Sequence, residues 1–229
     1  MSRDRRAGVA LFAVVALALG ITTAVTDSVF PPVRHDTDAY EALLALLDAN
    51  ESGTWIVDYD MQRTIAGGRH VATSYTEARD DEIHIVRGGG SADATIGDKR
   101  YLCTDTEEAG TICNASPAVQ SLASSVVVKT AVESGAYVVT TLPSDDIAGE
   151  HARCYRLFGA GGYIPELGAE TRYCFADDGV QLRTKITTVN DERDRVATRV
   201  VRDPSSTALE QVIGSLETGA GSADGDDTN

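Results

Sequence analysis

Apolar and polar residues alternate along much of the chain after residue 54. In "TWIVDYDMQ", residues 54–62, the odd positions from Trp55 to Met61 are apolar or aromatic, whereas Asp58 and Asp60 share the other parity. This two-residue period is typical of an antiparallel strand with one face in water. Further strand patterns follow in "HVATSYTEA", "EIHIVRG" and "KRYLCT", and glycine-containing turns separate them.

A second group of strands is predicted after residue 150. The segment "RYCFADDGVQLRTKITTV" contains a short glycine turn, at residues 176–179, between two β-rich runs, which is typical of a hairpin. After the charged turn "NDERD", the segment "RDRVATRVV" adds another strand that ends near Val201. The sheet is therefore predicted to have two parts along the chain.

Three segments carry the helical period instead. "DTDAYEALLALLDAN", residues 36–50, has leucines at helical spacing after an Asp or Thr cap. "SPAVQSLASSVVVKTAVESG" places Val119, Leu122 and Val126 on one helical face, and "SSTALEQVIGSLE" is a short helix capped by Ser205 or Ser206. This order predicts a mainly β, α+β domain: one curved antiparallel sheet with helices against one face. It is not the order of a βαβ protein.

The N-terminus has the pattern of an export signal. Arg3, Arg5 and Arg6 precede an uncharged, mostly apolar run from Ala7 to Val25, which is also long enough to cross a bilayer. We expect an uncleaved anchor, with a cleaved signal peptide as the alternative, and in both cases the rest of the chain lies outside the cytoplasm. The predicted organisation is an anchor (1–26), a proline-containing linker (27–35), one domain (36–216) and a disordered acidic tail (217–229).

Export changes the interpretation of the cysteines. Cys103, Cys113, Cys154 and Cys174 form no CxxC pair, so a disulfide framework is favoured over zinc or a catalytic thiol. Three pairings are possible. Strand parity favours a bridge between Cys154 and Cys174, because both lie on the strand face opposite to their apolar and aromatic neighbours. A bridge between Cys103 and Cys113 would then close a short polar loop. This parity predicts that the sulphur atoms of Cys154 and Cys174 face water.

Charge and motifs argue against several functions. The net charge is −15, and −17 without the first six residues, so nucleic acid is not an expected partner. No GxSxG or SxxK motif is present, the four histidines are scattered, and the acidic pairs lie in turns without the spacing of a calcium loop. We therefore name no catalytic residue, metal or cofactor, and expect a protein that is not an enzyme.

The arrangement of these segments resembles a known family. An exported chain with an opening helix, then "GTWIVDY", a "YLC" segment with a second cysteine, "CYRL" and "YCFADDGVQLRTKI" is similar to the LolA-like and LppX-like carriers of cell envelopes. The resemblance covers most of residues 36–215. It implies an incomplete antiparallel barrel with helices over its concave side and an apolar cavity between them. Unlike lipoprotein members, this chain has no lipidation cysteine after its apolar run.

The resemblance also suggests a function. We expect a membrane-tethered extracytoplasmic carrier or binding domain for a lipid or another apolar ligand. The alternative is a sensory or protein-interaction domain with a packed core that acts through a membrane-protein partner. The residues expected to line the apolar face, and to contact a ligand, are Trp55, Val57, Tyr59, Met61, Tyr75, Ile83, Ile85, Tyr155, Tyr173, Phe175, Leu182 and Ile186. Core packing alone would also place apolar residues at these positions.

Overall fold

The computed structural model describes residues 36–106, 110–118, 124–160 and 164–217. The predicted anchor (1–26) and linker (27–35) lie outside the described residues, as does the predicted tail after Glu217. Within the described part of the chain, no helix is both long and apolar enough to span a bilayer.

Three helices and eleven strands form the described structure. The helices are α1 (Thr37–Ser52), α2 (Ser124–Glu133) and α3 (Ser206–Glu217). The strands are β1 (Trp55–Ile65), β2 (Arg69–Arg79), β3 (Ile83–Gly88), β4 (Ser91–Ile96), β5 (Lys99–Thr106), β6 (Gly110–Pro117), β7 (Tyr137–Ile147), β8 (Glu150–Gly159), β9 (Glu170–Phe175), β10 (Gln181–Thr187) and β11 (Asp191–Arg202). The mainly β prediction is confirmed.

All eleven strands belong to one antiparallel sheet that does not close. Their order is β6-β5-β4-β3-β2-β1-β11-β10-β9-β8-β7, so β6 and β7 are the two edges. The first and last strands of the described residues, β1 and β11, pair at the centre, while hairpins extend the sheet outward on both sides.

Strand register divides the side chains between two faces, because residues directly opposite each other in an antiparallel pair project from the same side. The Trp55 face carries Trp55 and the other odd positions of β1. The Ile56 face carries Ile56, its partner Ala78 on β2 and Ile85, which pairs with Ala78 from β3.

Helix α1 packs on the Trp55 face. At its start, the Asp36 side chain accepts a hydrogen bond from the Ala39 amide (3.2 Å), as the sequence predicts for a cap, and the Asp36 amide donates to the carbonyl of Val139 on β7. At its other end, the indole of Trp55 on β1 donates to the carbonyl of Asn50 (3.2 Å). Helix α1 therefore crosses the half of the sheet that runs from β7 to β1.

Helix α2 joins the same core, but with a different phase from the predicted one. Val128, Ala131 and Val132 are buried in it, whereas Val126 is 44% exposed. The helical face that the spacing of Val119, Leu122 and Val126 indicates is therefore not buried at Val126, and Val119 and Leu122 lie outside the described residues.

Helix α3 packs on the opposite side of the sheet. Leu209 clusters with Ile56 and Ala78, and Val212 contacts the cluster that contains Ile85. The expectation that all helices lie over one face is therefore wrong for α3. An amphipathic pattern shows that a helix has an apolar stripe, but it does not show which side of a sheet that stripe will cover.

Both favoured disulfides are present, linking Cys103 to Cys113 and Cys154 to Cys174. The prediction that the second bridge faces water is wrong, since Cys154 and Cys174 are each only 4% exposed. Leu142 pairs directly with Cys154, and Ile147 belongs to the same apolar cluster. The end of strand β7 therefore supplies an apolar environment that parity alone does not reveal.

Gly168 occupies a position that only glycine suits. Its φ is +63°, and a Cβ built on it would lie 2.6 Å from the carbonyl oxygen of Thr187. The Tyr137 hydroxyl donates a hydrogen bond to the Gly168 carbonyl. The same hydroxyl accepts a hydrogen bond from the Ile164 amide (2.9 Å). Gly168 thus fixes the loop before β9 against β10.

We expect Gly168→Ala to lower the free energy of unfolding by at least ~1 kcal/mol more than Gly67→Ala. Gly67 also has a positive φ, but its Cβ position has no atom within 4 Å, so it controls for the backbone cost alone. Urea unfolding of both variants measures the difference. Equal losses would show that the contact with Thr187 is relieved without cost.

An apolar groove as the candidate functional site

An open groove lies on the part of the Trp55 face that α1 does not cross. Its volume is about 520 Å³, and it runs across strands β1 to β5. Register places its main side chains on the same face, since Met61 pairs with Thr73 and Gly88 with Tyr75. The lining includes Met61, Thr73, Tyr75, Val86, Asp93 and Leu102.

A missing side chain helps to create this groove. Gly88 lies directly opposite Tyr75, and a Cβ at Gly88 would come within 2.3 Å of the Tyr75 Cβ. The Tyr75 ring instead leans towards Tyr59, with 5.4 Å between ring centroids. The floor of the groove is therefore open on the β3 side of Tyr75.

The apolar surface continues towards the edge of the sheet. Leu102 on β5 is 49% exposed, and Ile112 on β6 is 46% exposed on the same face. Large apolar side chains that are exposed next to one another are typical of binding surfaces. The groove, which includes Leu102, and the adjoining Ile112 form one apolar strip from β1 to β6.

Most of the predicted ligand-contacting residues lie elsewhere, in the packed part of the Trp55 face. This set is 7% exposed or less and consists of Trp55, Val57, Tyr59, Tyr155, Tyr173, Phe175 and Leu182. Tyr155, Tyr173 and Phe175 pack directly in the cluster that contains α1 and α2. Burial raises the pKa of the Tyr173 hydroxyl to about 12. These side chains fill space in the structure, and their contact with a ligand stays a prediction.

Ile83 and Ile85 do not share a face with Trp55. Ile85 pairs with Ala78 and is fully buried on the Ile56 face, near Val212 of α3. In "IHIVRG" both parities contain apolar residues, so alternation could not assign the face, and the hairpin register decides it. The prediction that these two isoleucines line the same side as Trp55 is wrong.

Met61 and Tyr75 are the two predicted residues that line the groove, and Ile186 lies on the same face, partly buried, on β10. The sequence reasoning missed Val86 and Leu102. The sequence did contain a signal for Leu102. It directly precedes Cys103 in a short strand, so the two residues lie on opposite faces, and an apolar residue is not expected on a strand face that is in water. Val86 required the β2–β3 register.

A buried ion pair borders the groove. Glu77 on β2 accepts a hydrogen bond from Arg195 on β11 (2.9 Å) and contacts the His84 imidazole (3.0 Å). The Arg195 guanidinium also lies 4.5 Å from the centroid of the Tyr59 ring. Burial alone would raise the pKa of Glu77, but the charges and hydrogen bonds of Arg195 and His84 outweigh it and hold the pKa below its ordinary value.

The remaining charged residue of the lining is neutralised. Asp93 accepts two hydrogen bonds from Arg100, at 2.9 and 2.6 Å. Among the residues that the structure describes, no group of three His, Cys, Asp or Glu side chains is placed to hold a metal ion. The groove itself is therefore lined by apolar and hydroxyl groups together with a neutral pair.

Comparison with known proteins identifies the fold. No protein-family model matches the sequence, and no curated protein matches it significantly. Among solved structures, MucB has a TM-score of 0.51 at 10% identity, and the match covers 76% of this chain and 62% of MucB. A chain of the Pseudomonas aeruginosa MucA/MucB complex has a TM-score of 0.50 at 11% identity, covering 76% of this chain and 60% of that one.

Other matches carry the family names that the sequence suggested. Mycobacterium tuberculosis lipoprotein LppX has a TM-score of 0.41 at 14% identity, covering 72% of this chain and 97% of LppX. A LolA superfamily protein from Nitrosomonas europaea has a TM-score of 0.33 at 11% identity, covering 74% and 96%. The solved structures that resemble this chain therefore include LolA-like and LppX-like proteins, and the likeness concerns the fold alone. The chain spans about three fifths of the MucB length.

Proposed function

We propose that this protein is an extracytoplasmic, non-enzymatic binding domain that takes a lipid or another apolar ligand in the groove of the Trp55 face. The N-terminal segment (1–26) and the linker (27–35) would tether it to the membrane. The observation that carries the proposal is the apolar strip from Met61 to Ile112, which stays exposed although the sheet has a well-packed core beside it.

The position of the groove differs from the cavity that the resemblance implies. Beneath α1, the buried side chains of the helix and the sheet are in contact with one another, and Phe175 and Leu157 are fully buried. A ligand in that region would have to displace this core, whereas the groove over β1 to β5 is already open. The binding site is therefore proposed beside the helices.

The cysteines support the proposed compartment. The four cysteines form two disulfides, which persist in oxidising compartments and are rare in the cytosol. Together with the basic and apolar N-terminus of the sequence, they support a position outside the cytoplasm.

Native mass spectrometry of the full chain, released from a nonionic detergent, tests the proposal. We expect acyl-chain molecules to copurify with the wild type, and Leu102→Gln to reduce their occupancy by about threefold or more, because it introduces a polar group where apolar area is buried on binding. Val189→Gln is the matched control, since Val189 is 89% exposed on the turn before β11. Repeated recovery of empty wild-type protein would contradict the proposal.

A second candidate function is a protein-interaction domain. It is favoured by the packed core under α1 and by the similarity in fold to MucB, a structure of which is a complex with MucA. Cross-linking of the full chain in its native membrane separates the two functions. A stoichiometric protein partner, found with no bound lipid, would favour the interaction domain.

A further inference from the structure

The three central strands carry opposite charges on their two faces. On the Trp55 face, β2, β1 and β11 contribute six arginines and two carboxylates, which are Arg63, Arg69, Arg79, Arg193, Arg195, Arg202, Glu77 and Asp191. On the Ile56 face, the same strands contribute four carboxylates and one arginine, which are Asp58, Asp60, Glu192, Asp194 and Arg199. In a chain with a net charge of −15, the cationic face is the exception.

Several of these arginines are occupied by structural contacts. Arg195 is paired with Glu77, and Arg79 donates to the carbonyl of Glu51 at the end of α1 (2.9 Å). Arg202 contacts Glu150 and Asp178 at the far end of β11. These three arginines are therefore occupied in stabilising the fold.

Arg63 and Arg193 share one carboxylate. Arg63 donates two hydrogen bonds to Asp191, at 2.9 and 3.0 Å, and the Arg193 Nε lies 3.1 Å from the same carboxylate. The side chains of Arg63 and Arg193 are 44% and 46% exposed, whereas that of Asp191 is 14% exposed. Two accessible guanidinium groups and one carboxylate leave one positive charge in excess.

This cationic pair lies at the β1 end of the groove. Arg63 follows Met61 by two residues and so projects from the same face, and Arg193 is its direct partner on β11. The groove thus has an apolar floor at Met61, Tyr75 and Leu102, and it ends at β1, where Arg63 and Arg193 place an accessible positive charge next to Met61.

We propose, building on the proposed function, that the groove takes an amphiphile with an anionic headgroup, such as a fatty acid. The acyl chain lies along Met61, Tyr75 and Leu102, and the headgroup binds Arg63 and Arg193. Apolar burial supplies binding energy for the chain, while charge-assisted hydrogen bonds to guanidinium groups select the anion over a neutral headgroup.

Photocrosslinking of the full chain tests this inference. The probes are a diazirine-bearing tetradecanoic acid and the diazirine-bearing alcohol of the same chain length, each added at pH 8 to protein in one fixed concentration of nonionic detergent. Labelled positions are mapped by mass spectrometry. We expect the acid to label the β1–β5 groove about tenfold more than the alcohol.

The double variant Arg63→Gln/Arg193→Gln should lower labelling by the acid about tenfold, to the level of the alcohol. Arg199→Gln is the matched control, because Arg199 lies on β11 but pairs with Asp58 on the Ile56 face (2.7 Å). This control should label as the wild type does. Raising the salt to 1 M should lower acid labelling and leave alcohol labelling unchanged.

The outcomes separate the inference from the function on which it rests. Equal labelling of the groove by acid and alcohol, or strong acid labelling that survives the double variant, would overturn the headgroup inference but leave apolar binding intact. No groove labelling by either probe would overturn both. Acid labelling on the Ile56 face, lost in Arg199→Gln, would also overturn the inference.

Discussion

Replacing Glu77 with glutamine is expected to lower the free energy of unfolding at pH 7 by about 3–5 kcal/mol, as is typical when one partner of a buried ion pair is removed. Glu77 is 7% exposed, and its carboxylate is shared between Arg195 and His84. Without it, the Arg195 guanidinium would stay buried against Tyr59 with its charge uncompensated. Urea unfolding followed by circular dichroism measures the loss.

A second variant and a control make this result specific. Glu77→Leu/Arg195→Met removes both charges and should recover at least half of the loss, because no buried charge is then left unpaired. Asp93→Asn breaks an ion pair whose side chains are 45% and 42% exposed, and should cost less than about 1 kcal/mol. Equal losses for Glu77→Gln and Asp93→Asn would contradict a special role for burial.

The same pair gives the stability of the domain a dependence on pH. The pKa of Glu77 is lower in the folded protein than its ordinary value of 4.5, so the folded state favours the ionised form. Its contribution is therefore complete above pH 4.5 and is lost as the pH falls through the folded pKa. Below pH 4.5 the stability of the wild type should fall more steeply than that of Glu77→Gln.

The second large effect is expected for Phe175→Ala, which should lower the free energy of unfolding by about 3–5 kcal/mol. Phe175 is fully buried beneath α1, with its ring 6.0 Å from that of Tyr173. Truncation leaves a cavity that the surrounding helix and strands can only partly fill. Thermal and urea unfolding of the purified variant give the value.

This variant also distinguishes a packed core from a ligand cavity. If Phe175 belongs to the core, Phe175→Ala lowers stability but leaves binding of the proposed apolar ligand unchanged, because the groove begins at β1, three strands away from β9 in the sheet. If it lines a binding cavity, the variant should lose ligand and little stability. Val189→Ala, at an 89% exposed position, is the control for a change at the surface.

Alternation predicted the central strand and its neighbours well. Trp55, Val57 and Tyr59 share one face, and the register carries that face across β10 and β9 to Leu182 and Tyr173, as expected. In these segments the apolar residues occupy one parity and the polar residues the other, so the sequence alone shows which face is buried. The opening helix was equally clear, because its leucines and its Asp36 cap predict a helix over residues 36–50, close to the observed Thr37–Ser52.

The pattern was less informative where both parities are apolar or where long-range pairing decides. Ile85 and Val86 are adjacent apolar residues, and only pairing with β2 shows that Ile85 lies beneath α3 and Val86 in the groove. The groove itself depends on which part of the sheet the helices leave uncovered. Helix placement is a tertiary property, and local periodicity contains little information about it.

An unclosed sheet ends in two strands whose outward backbone groups could pair with another chain. Here β6 ends at Pro117 and β7 contains Pro143, next to an irregularity in its pairing with β8. Proline cannot donate a backbone hydrogen bond, so each edge strand lacks one of the backbone donors with which a strand of another chain would pair. The two prolines therefore disfavour polymerisation of the domain by pairing of these edge strands.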